Sequence, residues 1–195
     1  MSALGEAFQE LLAALDRTET IFLVGGSVAS GAHGLARLTN DIDIVVDLTL
    51  DRVPAFCEAL GSAFYADADM VSRAVTAGRP FNLIHLASAY KFDFFPVGNG
   101  AFGRSELARR RFTAGSVTGL EQIEFPVASP EDVILAKLVW FRKGGGVSDQ
   151  WHDILGVIQV QAARLDRAYL TNVGRATRGL GLAERGSAVT ADTDR

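Results

Sequence analysis

Residues 22–47 read FLVGGSVASGAHGLARLTNDIDIVVD, and this stretch decides the fold. This stretch contains a glycine turn and, about the length of a short helix later, two aspartates with a single isoleucine between them. Residues two apart in a strand point to the same face, so Asp41 and Asp43 project together while Ile42 and Ile44 project into the core. Like charges at this spacing repel each other, and a divalent cation would neutralise both. The pattern therefore predicts a site for Mg²⁺, or for Mn²⁺, on this strand.

The glycine turn predicts a phosphate site beside the aspartates. Residues 21–24 are β-branched and apolar and predict a buried strand, which Gly25, Gly26 and Ser27 end. Glycine lets a ligand approach the main chain, and Ser27 is a favourable N-cap for a helix that starts near Val28. A helix N-terminus behind such a turn binds phosphate, although a Gly-Gly pair can also be only a turn.

A third carboxylate lies in residues 90–97, YKFDFFPV. In this predicted strand Lys91, Asp93 and Phe95 share one face, and an acidic residue among three phenylalanines is costly to bury unpaired. If the strand pairs beside the aspartate pair, three carboxylates can hold two metal ions roughly 3.5–4 Å apart. The alternative is an edge-strand aspartate that faces water.

Together these motifs resemble the nucleotidyltransferase superfamily of the DNA polymerase β type. The matching residues are Gly25-Gly26-Ser27, Arg37, Thr39, Asp41-Ile42-Asp43 and Asp93. Within the superfamily the chain is most similar to a small bacterial group that includes abortive-infection nucleotidyltransferase toxins. Residues 129–161, SPEDVILAKLVWFRKGGGVSDQWHDILGVIQVQ, resemble the helical part of those proteins, in which a lysine faces the triphosphate; here it would be Lys137.

The resemblance implies a fold, a reaction and a set of partners. The fold would be α/β of the α+β kind, a nucleotidyltransferase-like mixed sheet flanked by helices, with a C-terminal helical part. The enzyme would use Mg²⁺ to transfer a nucleoside monophosphate from a nucleoside triphosphate such as ATP to an RNA, protein or small-molecule acceptor, releasing pyrophosphate. A member of a toxin–antitoxin system would also bind an antitoxin or another regulatory protein.

The resemblance also assigns roles to residues. Asp41, Asp43 and Asp93 are the metal ligands and catalytic residues, and Asp93 is the candidate general base. The nucleotide-binding residues are Gly25, Gly26, Ser27, Arg37, Thr39 and Lys137.

Two of these helix and loop residues have alternative interpretations. Arg37 can instead brace its loop, and Lys137 can instead be a surface lysine that snorkels. Two further acidic residues, Asp149 and Asp153, share one helix face and could join the site, but the pattern favours a helix cap for the first and a surface ion pair for the second.

Two other function classes stay open. A non-catalytic nucleotide-binding regulatory or toxin–antitoxin module would bind the triphosphate without releasing pyrophosphate. A metal-dependent glycosyltransferase would use the same aspartate pair for a sugar nucleotide and prefer it to the bare triphosphate.

Composition agrees with a modest enzyme of 195 residues. The net charge of −4 argues against nucleic-acid binding by the field of the whole protein. The basic cluster Arg104–Arg111 favours a solvated helix face over an RNA site, because no aromatic pair is interleaved with it. The N-terminal residues predict an amphipathic helix rather than a signal peptide, and no segment predicts a membrane span, so we expect a cytoplasmic protein.

Periodicity and punctuation predict the order of elements and domains. Strands are expected at residues 21–24, 41–47, 63–65, 82–86 and 90–97, with one or two more within 112–125; helices are expected at the N-terminus, from 28, and over 50–60, 104–111, 129–143, 149–163 and 166–178. The core would span residues 1–128, with a helical part over 129–182 packed on it and a disordered tail over 183–195.

Overall fold

The computed structural model describes residues 2–37, 39, 41–114, 119–143 and 148–179. The glycines at 144–146 and the predicted tail over 183–195 lie outside these ranges.

Helices and strands alternate along most of the chain. The strands are β1 (Ile21–Val24), β2 (Asp41–Asp47), β3 (Phe64–Tyr65), β4 (Phe81–His85), β5 (Lys91–Pro96), β6 (Arg111–Ala114) and β7 (Glu124–Val127). The helices are α1 (Ala3–Arg17), α2 (Gly26–His33), α3 (Val53–Leu60), α4 (Ala68–Ala77), α5 (Ala101–Arg109), α6 (Pro130–Lys143), α7 (Ser148–Gln161) and α8 (Arg167–Gly179). Short 3₁₀ turns cover Leu50–Arg52, Gly61–Ala63 and Ala162–Arg164.

Most predicted elements are present, and helix α4 is the main one that the prediction missed. Its ends carry ordinary signals, since the side chain of Asp67 accepts a hydrogen bond from the Met70 N–H (2.7 Å) and Gly78 follows the helix in the left-handed conformation. The predicted helix over 50–60 divides into a 3₁₀ turn and α3. The helix predicted over 104–111 begins earlier, at Ala101, and ends at Arg109.

The seven strands form one mixed sheet in the order β3-β4-β5-β2-β1-β7-β6. Strand β2 runs parallel to β5 and antiparallel to β1, and β1 is parallel to β7. The predicted fold class, a mixed sheet flanked by helices, is confirmed.

Alternation along β2 and β5 separates the core from the polar face of the sheet. Ile42, Ile44, Phe92 and Phe94 are at most 2% exposed. Phe8 of α1 stacks on Phe92 with 6.3 Å between ring centroids, so this face of the sheet packs under α1. Residues of opposite parity on the two strands therefore point to the other face, which the helices of the second half of the chain flank.

A buried polar network joins α5, α6 and α8. Ser129 caps α6: its hydroxyl accepts from the Asp132 N–H (3.2 Å) and donates to the Asp132 carboxylate (2.6 Å). The Tyr169 hydroxyl donates to the same carboxylate (2.6 Å), and Arg109 Nε lies 3.3 Å from it. Asp132 is fully buried, and this set of donors compensates for the loss of water around its charge.

The basic cluster Arg104–Arg111 differs from the expected solvated face. Arg109 and Arg111 pair with Glu131, at 3.1 and 3.9 Å, and Arg109 also stacks over the Tyr169 ring. Glu131 is 1% exposed and pairs with the partly buried Arg109, whereas the Arg111 side chain is 57% exposed. Arg109 is thus a structural ion-pair partner, whereas Arg111 keeps most of its contact with solvent.

Over the ranges that the structure describes, no helix is both long enough and apolar enough to cross a membrane.

Candidate functional site

The three predicted aspartates come together on the polar face of the sheet. Strands β2 and β5 are neighbours, as predicted, and Asp43 is the register partner of Asp93. Strand β5 lies between β4 and β2, so Asp93 is on an interior strand and its side chain is 21% exposed. The edge-strand alternative for Asp93 is therefore wrong. Asp41, at the start of β2, is about half exposed.

Asp43 has an unusual electrostatic environment. Burial, which is the largest cause, and the neighbouring Asp93 and Asp41 together raise the pKa of its carboxyl to about 6, against the opposing effects of Lys137 and Lys91. Ionisation therefore costs Asp43 more free energy than it costs an ordinary carboxyl group, which is the condition under which a carboxylate gains from binding a cation.

Lys91 is a cation among the aspartates that the sequence prediction did not pair with them. It is the register partner of Asp41 on β5, and its Nζ lies 2.9 Å from Asp93 Oδ2 and 3.9 Å from Asp41 Oδ2. The hydrogen bond to Asp93 raises the pKa of the Lys91 ammonium, which stays charged. Within the described part of the chain, no group of three or more His, Cys, Asp or Glu is arranged to hold a metal ion. The alternation in YKFDFF places Lys91 on the same face as Asp93, and this pattern could have predicted their ion pair from the sequence.

The glycine turn lies directly against Asp43. Gly26 has a φ of +55°, and a Cβ atom added to it would lie 1.7 Å from Asp43 Oδ2. The Gly25 N–H donates to the Asp43 main-chain carbonyl (2.8 Å). Only glycine combines this backbone conformation with so close an approach of a carboxylate.

The start of α2 differs from the prediction. The helix begins at Gly26 with Gly25 at the N-cap, not near Val28 with Ser27 as the cap. The reason is the left-handed conformation of Gly26, which turns the chain into the helix one residue before Ser27. The Ser27 hydroxyl instead accepts a hydrogen bond from Arg37 Nη2.

Arg37 and Thr39 contact the loop itself. Arg37 Nε lies 3.2 Å from Asp153 Oδ1, in addition to its contact with Ser27, so it braces the glycine turn against α7. Thr39 donates to the main-chain carbonyl of Asp41 (3.1 Å). Both contacts hold the segment between α2 and β2; their roles in nucleotide binding stay predictions.

Lys137 and Asp153 form a buried ion pair. Lys137 is 4% exposed, its Nζ lies 2.6 Å from Asp153 Oδ2, and it donates to Gln150 Oε1 at 3.2 Å. The snorkelling alternative for Lys137 is thus wrong, and so is the surface ion pair for Asp153, which is 6% exposed. Helical periodicity cannot identify such a pair, because its members belong to different helices. Asp149 is exposed in the first turn of α7, inside the helix rather than before it, and its role as a cap stays a prediction.

A cavity of about 260 Å³ opens beside these groups. Its polar part includes the glycine turn, Asp43, Lys137 and Gln150, and its apolar part includes Phe95 and Trp140, whose ring centroids are 6.3 Å apart. The remaining lining residues are Val45, Glu106, Ala128, Val133 and Ala136. Glu106 is 2% exposed, although it belongs to the segment Arg104–Arg111, for which the sequence predicted a solvated helix face. The cavity thus joins a polar end, next to the carboxylates, to an aromatic wall.

Comparisons with known proteins concern the fold. No protein-family model matches the chain, and no curated protein matches its sequence. The solution structure of the antibiotic-resistance factor ANT(2″)-Ia is 18% identical with a TM-score of 0.56, over 92% of this chain and 93% of that chain. A crystal structure of ANT(2″)-Ia in complex with adenylyl-2″-tobramycin is 14% identical with a TM-score of 0.55, over 91% and 98%.

A third similar structure is an antigenic nucleotidyltransferase-like protein from Paracoccidioides brasiliensis. It is 13% identical with a TM-score of 0.52, over 94% of this chain and 92% of that chain. In each case the match spans nearly the whole of both chains. The fold of this chain is therefore the nucleotidyltransferase fold.

Proposed function

We propose that the protein is a metal-dependent nucleotidyltransferase, which moves a nucleoside monophosphate from a nucleoside triphosphate to an acceptor hydroxyl and releases pyrophosphate. The observation that carries the proposal is the pairing of Asp43 and Asp93 on neighbouring strands, with Asp43 against the Gly26 turn. The glycine turn and Asp43 line one cavity, and Asp93 lies beside Asp43 on the neighbouring strand. The fold shared with ANT(2″)-Ia supports it.

The glycine turn and Lys137 are the proposed triphosphate site. The first intrahelical bond of α2 joins the Ala29 N–H to the Gly25 carbonyl (3.0 Å), so the N–H groups of the preceding helical residues are open to a phosphate. Lys137 lines the same cavity, and its ammonium, which is paired with Asp153, is the proposed contact for the phosphates. Arg37 orients the Ser27 hydroxyl at the start of the helix.

The donor chemistry of the carboxylates fits a hard divalent cation, Mg²⁺ or Mn²⁺. Asp41 and Asp43 would hold such an ion through their oxygens, and Asp93 would help to hold a second one. Burial, together with the neighbouring Asp93 and Asp41, raises the pKa of the Asp43 carboxyl, and a bound cation would offset this cost of ionisation. When bound, the cation would neutralise the triphosphate and stabilise the leaving pyrophosphate.

Asp93 is the proposed general base. The acceptor oxygen forms a bond to the α phosphorus while the bond from that phosphorus to the bridging oxygen of the pyrophosphate breaks. The proton of the acceptor hydroxyl passes to the Asp93 carboxylate, which is partly exposed and can be reached by an acceptor. Asp43 lies deeper, beside the turn, and serves binding rather than proton transfer.

The test compares aspartates on one strand. Asp41→Asn and Asp43→Asn should each lower turnover by about 10³-fold or more, because the interactions lost act on charge that develops in the transition state. Asp47→Asn is the matched control: Asp47 is exposed on the same strand and on the same face, about 13 Å from Asp43. It should keep full activity.

The assay incubates the protein with Mg²⁺ and each radiolabelled triphosphate, together with RNA, protein and small-molecule fractions. Because ANT(2″)-Ia has been solved with adenylyl-2″-tobramycin, tobramycin is included among the small molecules. Label transferred to one fraction with release of pyrophosphate supports the proposal. Binding without pyrophosphate release would indicate a regulatory module, and preference for a sugar nucleotide would indicate a glycosyltransferase. Near-normal transfer by either asparagine variant would refute the site.

A further inference from the structure

Lys91 and the three aspartates form an alternating pattern of charge across two strands. The register places Lys91 opposite Asp41 and Asp93 opposite Asp43. Lys91 Nζ lies 2.9 Å from Asp93 Oδ2 and 3.9 Å from Asp41 Oδ2, so one ammonium contacts two of the three carboxylates. The other nearby cation, Lys137, lies 2.6 Å from Asp153 and is paired there. Lys91 is therefore the cation that compensates Asp93.

The Lys91 ammonium and a divalent ion cannot both occupy the position between Asp93 and Asp41. A divalent ion on Asp93 Oδ2 would lie about 2 Å from that oxygen, hence within about 5 Å of the Lys91 nitrogen. At such a distance a double and a single positive charge repel strongly in a partly buried site. The Lys91 side chain is 43% exposed and has room to turn toward solvent.

We propose that the Lys91 ammonium is a built-in cation that occupies the place of a second divalent ion between Asp93 and Asp41. The nucleotide-free protein then binds one divalent cation, through Asp43 and Asp41, and takes a second only when Lys91 has turned away. Lys91 is a positioning residue in this scheme, because it holds Asp93 and does not itself touch the reacting atoms. The inference rests on the metal-dependent function proposed above.

Mn²⁺ binding to the nucleotide-free protein tests the proposal without any turnover. Free Mn²⁺ is measured by electron paramagnetic resonance during titration of the wild type, Lys91→Gln and Lys91→Arg. The wild type and Lys91→Arg should bind one Mn²⁺ ion, and Lys91→Gln should bind two. The dissociation constant for the second ion should be about tenfold or more lower in Lys91→Gln than in the wild type. Arg73→Gln is the control for loss of one positive charge, since Arg73 is exposed on α4; it should match the wild type.

The outcomes separate this inference from the function on which it rests. Two sites of equal affinity in the wild type and in Lys91→Gln would overturn the role of Lys91 and leave the metal-dependent reaction standing. No Mn²⁺ binding by any variant would overturn both. Two sites in Lys91→Arg would also contradict the proposal, because arginine keeps the charge. Lys91→Met serves as a second neutral variant if Lys91→Gln does not fold.

Discussion

Adding one methyl group at Gly26 tests whether the turn and the carboxylate depend on each other. Gly26 has a φ of +55°, and an added Cβ would lie 1.7 Å from Asp43 Oδ2 and 2.6 Å from Asp43 Cγ. Non-bonded heavy atoms are normally about 3.5–4 Å apart. In Gly26→Ala the Asp43 carboxylate must therefore move by more than an ångström, or the turn must open.

The expected cost has two parts that a control can separate. A left-handed conformation costs a non-glycine residue about 1–2 kcal/mol, and the steric overlap adds about 1–3 kcal/mol. Gly78 has a φ of +60° with nothing within 4 Å of an added Cβ, so Gly78→Ala should carry only the first part. Gly26→Ala should thus lose about 2–5 kcal/mol in the free energy of unfolding, and Gly78→Ala about 1–2 kcal/mol.

Two measurements decide the matter. Urea unfolding gives the free energies, and calorimetric titration with a non-hydrolysable triphosphate and Mg²⁺ gives nucleotide affinity under conditions where both variants are folded. Gly26→Ala should lose binding because Asp43 and the turn no longer share one geometry, whereas Gly78→Ala should bind as the wild type does. Equal destabilisation of the two variants together with normal affinity in Gly26→Ala would refute the reasoning.

Three further predictions concern charge and capping. In the metal-free protein the pKa of Asp43 is raised from 3.8 to about 6, so the folded state holds that proton more tightly than the unfolded chain. The free energy of unfolding should therefore fall by up to about 3 kcal/mol as the pH rises from about 4 to 6. Asp43→Asn should abolish this fall in a pH series of urea melts. Asp153→Asn should lower the free energy of unfolding in urea by about 3–5 kcal/mol, because it leaves the buried Lys137 without its counter-charge. Asp149→Asn changes an exposed residue on the same helix and should alter that free energy by no more than about 0.5 kcal/mol. Equal effects would contradict the buried pair. Ser129→Ala should cost about 1–2 kcal/mol in thermal or urea melts through loss of the α6 cap, and an unchanged stability would mean that water replaces the hydroxyl.

Local periodicity was sufficient for much of the fold. The alternation in residues 41–47 and 90–97 predicted both strands and their polar faces, because the side-chain period of a strand depends only on the backbone. The start of α6 is determined just as locally, since the Ser129 N-cap acts on residues only three positions away. Helix α4 was missed although its cap signals were present, because its apolar stripe is short.

The candidate site was predicted less completely than the fold. The aspartates and the glycine turn could be found because their spacing along the chain is itself the signal. The burial of Lys137 and of Asp153 could not be found, since the two residues lie on α6 and α7 and each alone looks like a surface charge. Glu106 carried no signal that separates it from its exposed neighbours on α5.

The sequence by itself determined which residues share a face of a strand or a helix, because that depends on backbone geometry within a few residues. The tertiary structure alone decided which faces meet. The pairing of Lys91 with Asp41 follows from the register of β2 against β5, and that register is set by burial of Phe92 and Ile42 on the opposite face of the sheet. The contact between Gly26 and Asp43 likewise depends on the packing of the whole sheet, which no local pattern encodes.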